Sequence, residues 1–390
     1  MPNLPVAARS PAQPPSHQGP VLVGAVVLAG LLSWGTAQAQ SARVTTEVVA
    51  SGLQNPWAVA FVGDGRMLVT ERPGRLRVVA PNGTLGEPVA GLPAVDAVGQ
   101  GGLLDLITDR DFARNRTLYF CYSKPAAQGS GNSTALASAR LSADATRLEN
   151  VKVIFSQQPK VSSRLHFGCR MVQAADGSLF LTLGDRYQRM NDAQTLDNHH
   201  GKVVRVRPDG SAHPDNPFRN RPGALPEIWS LGHRNPQGAA LGPDGRLWIS
   251  EHGPQGGDEI NRPEPGKNYG WPVITYGENY GGGTIGQGLT EKTGMEQPVH
   301  QWTPSIAPAG MAFVTSERYG KAWQGSLLVG ALKFRYLARL ELDGARVVKE
   351  DKLLPDLGRR VRDVREGPDG FIYLLTDERN GQLLRLVPSR

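Results

Sequence analysis

Three groups of residues in this chain have types and spacings that could do chemistry. The first combines Gly- and Pro-rich turns with acidic residues, in segments 232–238 (GHRNPQG) and 250–261 (SEHGPQGGDEIN). Such turns expose backbone carbonyl oxygens, and Asp258 and Glu259 lie beside them in the sequence. Carbonyl and carboxylate oxygens together are the ligands that calcium prefers. The simpler alternative is that a Gly/Asp-rich segment of this kind is only a turn.

The second group is basic and lies near the C-terminus, in segment 357–365 (LGRRVRDVR). On a β-strand, Arg360 and Arg362 would point to the same face. Two parallel guanidinium groups can bind carboxylates in a bidentate manner, and Lys333 could add a further positive charge. A solvated basic edge would produce the same pattern.

The third group is centred on His166, in segment 164–170 (RLHFGCR). An imidazole titrates near neutral pH, so it could remove the proton of a hydroxyl group. A single histidine more often has a structural role, and that alternative stays open on this segment alone.

Two further signals are weak. Residues 281–286 (GGGTIG) fit the dinucleotide-binding pattern G-x-G-x-x-G, but neither a strand nor a helix is predicted beside them. His199 and His200 form a pair without further residues at metal-ligand spacing, which favours a surface or core position over a metal site.

The residues that could do chemistry lie beside a repeated strand–turn–strand pattern. An Asp-Gly pair between two apolar strands is a strong hairpin signal. The chain has four clear and two looser copies, roughly 50–70 residues apart: 57–70, 102–122, 171–182, 238–250, 311–329 and 361–374. This repetition predicts an all-β fold, a six-bladed β-propeller of four-stranded antiparallel sheets. A strand at Val44–Val49 would complete the last blade, and loops at equivalent strand ends would converge on the central channel.

Composition agrees with this fold and excludes one class of partner. The 47 Gly and 30 Pro residues make up about a fifth of the 390-residue chain, which favours a turn-rich β architecture. The net charge is +7, but Lys and Arg are scattered and form no long basic block. We therefore expect no nucleic-acid partner.

The N-terminus has the pattern of a secretory signal peptide. Residues 1–20 contain one Arg and no acidic residue, residues 21–34 are almost entirely apolar, and 37–39 read Ala-Gln-Ala. This pattern predicts a signal peptide at 1–39, cleaved near Ala39, and a mature propeller domain at 40–390. We expect a periplasmic or secreted protein without stable membrane insertion after cleavage. An uncleaved membrane anchor is the alternative.

The two cysteines, Cys121 and Cys169, leave their pairing open. An oxidising compartment would permit a disulfide, but the sequence does not show whether the two residues meet. Two buried thiols are the simpler expectation.

Taken together, the motifs point to a known family. The chain resembles the soluble, pyrroloquinoline quinone (PQQ)-dependent aldose sugar dehydrogenases of the glucose/sorbosone dehydrogenase family. The resemblance runs from about Asn55 to Gly370 and rests on NPWAVAF, GQGGLLDL, HFGCR, GHRNPQG, EHGPQGGDEIN, GKNYGWP, PSIAPAGMAF, GALK and RRVRDVREGPDG.

The resemblance assigns roles to individual residues. It makes His166 the general base that takes the proton of the sugar's anomeric hydroxyl group. The residues that would contact PQQ are Gln100 and Asn235 at the quinone, Lys333, Arg360 and Arg362 at the carboxylates, and Tyr280 beside the ring.

The resemblance also implies two calcium ions. The carbonyl oxygens of Gly253 and Pro254 would bind a calcium that touches PQQ. A second, structural calcium would be held by Glu259 and Tyr269.

The implied reaction is oxidation of an aldose at the anomeric carbon to a lactone, with hydride transfer to the quinone. The expected partners are a small-molecule aldose and an unidentified periplasmic electron acceptor, and the protein would be a monomer or a homodimer. Two alternatives remain: a calcium-dependent lactonase or esterase, and a non-catalytic propeller that binds carbohydrate or a partner. A lactonase would leave Lys333, Arg360 and Arg362 without a role, and a binding module would be indifferent to replacement of His166.

One position departs from the family pattern. The family usually has Gly-Gly-Arg where this chain has Gly168-Cys169-Arg170. If the second Gly supplies a positive φ, Cys169 would strain the start of the strand and could shift His166. This departure bears on the rate and the sugar preference more than on the type of reaction.

Overall fold

Each hairpin found in the sequence forms the first two strands of a four-stranded blade. The computed structural model describes residues 43–389, and these contain six antiparallel four-stranded sheets arranged in a ring. The first strands of neighbouring blades contact one another all round the ring, so they surround the central axis. The predicted six-bladed β-propeller is therefore confirmed. The predicted signal peptide at 1–39 lies outside the described residues.

The first three blades follow one another along the chain. Blade 1 consists of β2 (Pro56–Phe61), β3 (Met67–Glu71), β4 (Arg75–Val79) and β5 (Leu85–Pro88). Blade 2 consists of β6 (Leu103–Thr108), β7 (Thr117–Pro125), β8 (Asn132–Leu141) and β9 (Leu148–Ser156). Blade 3 consists of β10 (Gly168–Gln173), β11 (Leu179–Leu183), β12 (Lys202–Val206) and β13 (Ile228–Leu231).

The next two blades repeat this order, and the sixth joins the two ends of the chain. Blade 4 consists of β14 (Pro236–Leu241), β15 (Leu247–Glu251), β16 (Asp258–Asn261) and β17 (His300–Trp302). Blade 5 consists of β18 (Pro308–Phe313), β19 (Leu327–Ala331), β20 (Leu337–Asp343) and β21 (Arg346–Leu353). Blade 6 consists of β22 (Val361–Glu366), β23 (Ile372–Thr376), β24 (Gly381–Pro388) and β1 (Val44–Leu53).

The N-terminal strand closes the ring, as its place in the sequence predicted. β1 pairs antiparallel with β24, from Val44 opposite Pro388 to Leu53 opposite Gly381. The strand is longer than the predicted 44–49 segment and contains two register shifts. Because the sheet that joins the two chain ends is complete, blade 6 packs against blade 1 like any other pair of blades.

Burial follows the radial position of the strands. All five residues of β3, β11, β15, β19 and β23 are buried, because these strands pack between neighbouring blades on both faces. The outer strand β21 is largely exposed. The helices are short: α1 (Phe112–Asn115) and 3₁₀ segments at Met190–Gln194, Glu317–Tyr319, Lys321–Trp323 and Pro355–Leu357. Within residues 43–389, no helix has the length and apolar character needed to cross a bilayer.

The antiparallel hairpins place the candidate functional residues at one end of the ring. The segment before a first strand and the segment after a second strand lie at the same end of a blade. His166 and Asn235 precede β10 and β14, whereas Gly253 and Lys333 follow β15 and β19. Four residues that are far apart in the sequence therefore reach the same face of the propeller.

Arg170 connects several blades at the centre of the ring. It is 1% exposed, and its Nη1 lies 3.2 Å from Asp105 Oδ1 and 2.8 Å from Asp363 Oδ1. Its Nε donates to the Gln237 carbonyl at 2.7 Å, and its guanidinium group stacks on Trp57. These partners belong to blades 1, 2, 4 and 6, so one buried side chain from blade 3 ties the inner strands together.

We expect Arg170→Met to lower the free energy of unfolding by about 3–5 kcal/mol, because the buried Asp105 and Asp363 would keep only Arg365 as a counter-charge and one buried negative charge would be uncompensated. Urea denaturation followed by tryptophan fluorescence measures this change. Arg114→Met is the control: Arg114 pairs with Asp111, but its side chain is 79% exposed. Loss of such a surface pair costs about 1 kcal/mol or less. Equal losses in the two variants would contradict the role of Arg170.

The cysteines form a disulfide, so the expectation of two buried thiols was wrong. Cys121 in β7 and Cys169 in β10 join blades 2 and 3, with Cα atoms 5.8 Å apart. Both residues are completely buried. The two positions are 48 residues apart, and closing a loop of that length in the unfolded chain contributes about 4 kcal/mol in the chain-entropy description. The sequence could not show the pairing because it depends on how two blades pack.

Candidate active site

Two cavities open on the face that carries the candidate residues. The first, here called the basic cavity, has a volume of about 230 Å³ and is lined by Trp57, Arg72, Gly99, Gln100, Asn235, Gln237, His252, Ala307, Leu332, Arg360, Arg362 and Asp377. The second, here called the histidine cavity, measures about 270 Å³ and is lined by His166, Asp185, Tyr187, Met190, Arg234, Pro254, Trp271, Asn279, Tyr280 and Ile285. A larger groove of about 610 Å³ lies at the opposite, hairpin end of blades 3 and 4. It contains none of the predicted site residues, so its size does not identify it as the active site.

The basic cavity brings together the predicted arginine pair. Asp377, which follows β23, accepts hydrogen bonds from Arg362 Nη2 at 2.6 Å and Arg360 Nη2 at 3.2 Å. Burial alone would raise the pKa of Asp377, but the two guanidinium groups outweigh it and hold that pKa below its ordinary value. Arg72 is a third guanidinium in the lining. With three guanidinium groups and one carboxylate in its lining, the cavity has a net positive charge, which suits a ligand with several carboxylate groups.

Gln100 and Asn235 lie where the basic cavity meets the segment that carries His166. The side-chain oxygen of Gln100 accepts a hydrogen bond from the backbone N–H of His166 at 2.8 Å. The side-chain oxygen of Asn235 accepts one from the N–H of Gly168 at 3.2 Å. Both oxygens are thus used within the protein, and the amide nitrogens remain as donors toward a ligand.

Lys333 and Tyr280 lie farther out than the other candidates. Lys333 is exposed and is absent from the lining of both cavities; its Nζ lies 5.3 Å from the Phe334 ring centre. Tyr280 lines the histidine cavity but is 66% exposed. The structure therefore brings Tyr280 to the open side of the histidine cavity, whereas it does not bring Lys333 into the lining of either cavity.

His166 forms a buried pair with Asp185, a residue that sequence reasoning missed. The histidine is 5% exposed, and its Nδ1 lies 2.7 Å from Asp185 Oδ1. The other carboxylate oxygen accepts a hydrogen bond from Trp271 Nε1 at 2.7 Å. An ionised carboxylate only accepts hydrogen bonds, so Nδ1 carries the proton and Nε2 keeps its lone pair.

The electrostatics of the pair favour a neutral imidazole. Burial lowers the pKa of His166 below its ordinary value, and Arg234 and Arg186 add to this effect, although Asp185 opposes it. Burial acts to raise the pKa of Asp185, but its interactions with His166, Arg234 and the Tyr187 N–H together outweigh burial, and the pKa of Asp185 is lowered as well. At neutral pH the site therefore holds a carboxylate and an unprotonated imidazole, which is the arrangement of an oriented general base.

The turn after β15 has the carbonyl oxygens that the first calcium was predicted to need. A Cβ atom on Gly253 would lie 2.2 Å from the carbonyl oxygens of Gly256 and Gly257, so only glycine fits there. The Gly253 carbonyl accepts a hydrogen bond from Arg234 Nη1 at 2.7 Å and retains a second lone pair. Pro254 lines the histidine cavity. A hard cation would find oxygen donors beside the candidate base.

The predicted second calcium site contains a crowded group of oxygens. Asn261 Nδ2 donates to Glu251 and Glu259, each at 2.9 Å. Burial and the neighbouring Glu251 charge raise the pKa of Glu259 to about 8. Asn261 Oδ1 is buried without a hydrogen-bond partner among the described residues. Two close carboxylates and an unpaired amide oxygen fit a calcium ion.

Tyr269 lies beside this region, and its side chain is already used within the protein. Its hydroxyl group already donates to the Arg262 carbonyl, and its ring stacks on His233 with centres 5.0 Å apart. Within residues 43–389, no group of three or more His, Cys, Asp or Glu side chains is placed to hold a metal ion. A cation here would therefore need carbonyl or amide oxygens besides Glu259, and Tyr269 could supply only its backbone carbonyl.

The weaker signals have structural explanations. His199 contacts the Gln158 N–H and the Glu227 carboxylate, and His200 contacts Asp192 and the Pro159 carbonyl. Both imidazoles are thus used to hold loops. Residues 281–286 form turns without a strand or helix beside them, which agrees with the rejection of a dinucleotide site.

A positional signal could have found several of the residues that were missed. Each of them comes one or two positions after the second strand of a blade, where the chain turns over the central channel: Arg72 after β3, Asp185 after β11, His252 after β15 and Asp377 after β23. Aligning the four clear repeats on their Asp-Gly turns would have placed these polar residues at equivalent positions.

Comparison with known proteins agrees with the geometry. A model of the family described as Glucose / Sorbosone dehydrogenase matches residues 53–385. The chain belongs to this family. It is 45% identical over 353 residues to the aldose sugar dehydrogenase YliI of Escherichia coli K12, which covers 90% of this chain and 94% of that protein.

Solved structures of sugar dehydrogenases have the same fold as this family member. The apo-form crystal structure of the soluble aldose sugar dehydrogenase from E. coli matches with a TM-score of 0.85 at 44% identity, covering 89% of this chain and all of that one. The PQQ-bound aldose sugar dehydrogenase of Streptomyces coelicolor matches with a TM-score of 0.71 at 27% identity, covering 88% and 99%. This member of the glucose/sorbosone dehydrogenase family is an oxidoreductase that acts on a CH–OH group of small-molecule sugars. The lactonase and binding-module alternatives are thereby set aside.

Proposed function

We propose that this sugar dehydrogenase oxidises aldoses at the anomeric carbon to lactones, with PQQ as cofactor, calcium as an activating and structural ion, and His166 as general base. The observation that carries the proposal is the buried His166–Asp185 pair beside a cavity lined by three arginines. The similarity to the PQQ-bound Streptomyces enzyme supports the choice of cofactor.

The protein's part in the reaction is proton removal and positioning. Nε2 of His166 takes the proton of the anomeric hydroxyl group, and Asp185 stabilises the imidazolium that forms. As the C–O bond becomes a carbonyl, the anomeric hydrogen leaves with two electrons as hydride. Bound PQQ supplies the two-electron acceptor for that hydride. The products are a lactone and the reduced cofactor, which a periplasmic electron acceptor reoxidises.

The residues present fit a quinone that carries several carboxylates. Arg360, Arg362 and Arg72 provide positive charge, and the amide groups of Gln100 and Asn235 provide donors for the quinone oxygens. Tyr280, which lines the histidine cavity, and the exposed Lys333 would contact the bound cofactor. Because these charges and donors are in position before the substrate binds, the protein's polar groups need little reorganisation as charge develops during the reaction.

Two calcium ions have separate roles in this proposal. One would be held by the carbonyl oxygens of Gly253 and Pro254 and would supply a Lewis acid toward the cofactor. The other would be held by Glu259 and the carbonyl of Tyr269 and would neutralise the crowded carboxylates.

We expect calcium to stabilise the apoprotein more at pH 8 than at pH 5.5. The folded protein holds a proton on Glu259 up to about pH 8, whereas an unfolded chain releases it near pH 4.5, so metal-free stability falls across this interval as pH rises. Calcium replaces the proton and at a hundred times its Kd contributes about 2.7 kcal/mol. Thermal unfolding with and without calcium at the two pH values measures the difference.

Titration calorimetry tests the residue assigned to this ion. Glu259→Gln is expected to remove one calcium from the binding stoichiometry and to stabilise the metal-free protein at pH 8. Glu291→Gln, at an exposed carboxylate of the long loop after β16, is the control and should bind calcium as the wild type does. Unchanged stoichiometry in Glu259→Gln would exclude this carboxylate as a ligand.

The deciding assay for the function is dye-linked sugar oxidation by purified apoprotein, with PQQ and calcium added separately and together. We expect activity with aldoses only when both are present. Activity without PQQ, or no activity with any aldose and no PQQ binding by absorbance, would refute the proposal.

We also propose that residues 1–39 are a signal peptide cleaved near Ala39 and that the mature enzyme is periplasmic or secreted. The Cys121–Cys169 disulfide supports an oxidising compartment. Mass spectrometry of protein recovered from the periplasm or medium should give a mature chain beginning near Gln40. Recovery of uncleaved protein from the membrane fraction would favour the anchor alternative.

A further inference from the structure

The segment that carries His166 has an unusual backbone. His166 has φ 52°, Gly168 has φ 66° and Cys169 has φ 78°, so three residues of four are in the left-handed region. Glycine adopts such angles freely, but a residue with a Cβ atom does so at a cost and only when its surroundings hold it there. The pairing of β10 with β11 shifts register between Gly168 and Met171, where this backbone meets the sheet.

The disulfide is the covalent restraint on this segment. Cys121 lies in the middle of β7, which pairs with β6 on one side and β8 on the other, so its backbone is fixed. Cys169 is bonded to it across the interface between two blades. Both residues are buried. The bond joins a strand that is paired on both sides directly to the strained start of β10.

The strained segment is also connected to the site by hydrogen bonds. The Phe167 carbonyl accepts from Thr134 Oγ1 at 2.6 Å, and the Gly168 N–H donates to Asn235 Oδ1 at 3.2 Å. A Cβ atom on Gly168 would lie 2.8 Å from the Thr182 carbonyl oxygen, so only glycine fits at position 168. A change of φ at Cys169 would turn the peptide that bonds Asn235 and displace His166, three residues away.

We propose that the Cys121–Cys169 disulfide is a positioning element of the active site, which holds Cys169 in a left-handed conformation that cysteine without the bond would leave. Through the Gly168 peptide it fixes His166 relative to Asn235. This inference rests on the proposed function, because it concerns the placement of the proposed base. A disulfide that only stabilises the fold would leave the rate unchanged in a folded, bond-free variant.

Two variants separate positioning from stability. Cys121→Ser removes the bond and leaves a cysteine at φ 78°; Cys121→Ser with Cys169→Gly removes the bond and gives that position the residue that adopts the angle freely. Both variants lose the stabilisation of the bond. Only the first should lose the geometry of the His166 segment.

We expect kcat with PQQ, calcium and an aldose to fall about tenfold to a hundredfold in Cys121→Ser and to return to within about twofold of wild type in the double variant. KM for the aldose should change little, because neither variant replaces a residue that lines either cavity. All assays are run well below the unfolding midpoint of each variant.

Two readouts do not depend on activity. Introducing glycine normally lowers stability, but here the double variant should unfold about 2 °C or more above Cys121→Ser. Amide hydrogen exchange in the peptide covering residues 164–171 should be faster in Cys121→Ser than in wild type. In the double variant it should return toward the wild-type rate. If Cys121→Ser fails to fold while the double variant folds, the backbone requirement at position 169 is supported directly.

The outcomes are distinguishable from failure of the proposed function. An inactive wild type would refute the proposed reaction. The unfolding midpoints and the amide hydrogen exchange of the variants would still test whether the disulfide holds the backbone at position 169. Equal kcat in wild type and Cys121→Ser, or equal losses in both variants with no gain in midpoint from glycine, would overturn the positioning role.

Discussion

Asp185→Asn should lower kcat for aldose oxidation by about 10²- to 10⁴-fold, comparable to disabling an oriented histidine base. The carboxylate now accepts from His166 Nδ1 at 2.7 Å and fixes the imidazole with its lone pair on Nε2. An asparagine can present its N–H₂ group to Nδ1 instead, which would move the proton to Nε2. Steady-state kinetics with reconstituted enzyme measures the loss.

The control for this change lies in the same loop. Asp197→Asn alters an exposed carboxylate and should leave kcat within about twofold of wild type, as expected for a surface change. PQQ affinity should be unchanged in Asp185→Asn, since Asp185 does not line the basic cavity. A full loss of kcat in Asp197→Asn, or none in Asp185→Asn, would contradict the assignment.

The pH profile gives the same residue a second test. A general base works when deprotonated, so activity is lost as pH falls through its pKa. Burial lowers the pKa of His166, and the acidic limb of the wild-type profile should therefore lie below the ordinary histidine value of about 6.5. Asp185 opposes that shift, so the residual activity of Asp185→Asn should persist to still lower pH.

The second large effect is expected on cofactor binding. Arg360→Gln combined with Arg362→Gln should weaken PQQ binding by about 30-fold or more, because Arg362 is buried and truncating a buried charge partner costs about 2–5 kcal/mol. Asp377 would then face the cofactor's carboxylates without its counter-charges. Quenching of tryptophan fluorescence by PQQ, at fixed calcium and salt, gives the Kd.

Two further variants sharpen this experiment. Arg335→Gln removes an exposed arginine that lines neither cavity, and it should leave the Kd unchanged. Adding Asp377→Asn to the double arginine variant should recover part of the affinity, since it removes the remaining negative charge. Equal Kd values for wild type and the double arginine variant would exclude the basic cavity as the site of the PQQ carboxylates.

Much of the fold could be predicted because it depends on local signals. The Asp-Gly turns mark hairpins through the φ values that glycine allows, and six copies at similar spacing imply a ring. Even closure by the N-terminal strand, predicted at Val44–Val49, followed from chain order, because a propeller without it would expose the edge of blade 6.

The site was predicted less completely, for a physical reason. His166, Arg360 and Arg362 lie in distinctive sequence motifs, so residue type and spacing indicated them. Asp185 and Asp377 lie outside such motifs: their position after a repeat's second strand could have indicated them as candidates, but their partners, His166 and Arg362, depend on how the fold brings them within hydrogen-bond distance.

By itself, the sequence determined the all-β repeat architecture, the family and the chemical types in the site, since these depend on local periodicity and motifs. Tertiary structure alone decided what depends on distance between blades. It paired Cys121 with Cys169, set Arg170 among carboxylates from two other blades, and left Lys333 exposed and outside the lining of both cavities. Such contacts join residues far apart in the chain, and their energies depend on burial and geometry that residue order does not specify.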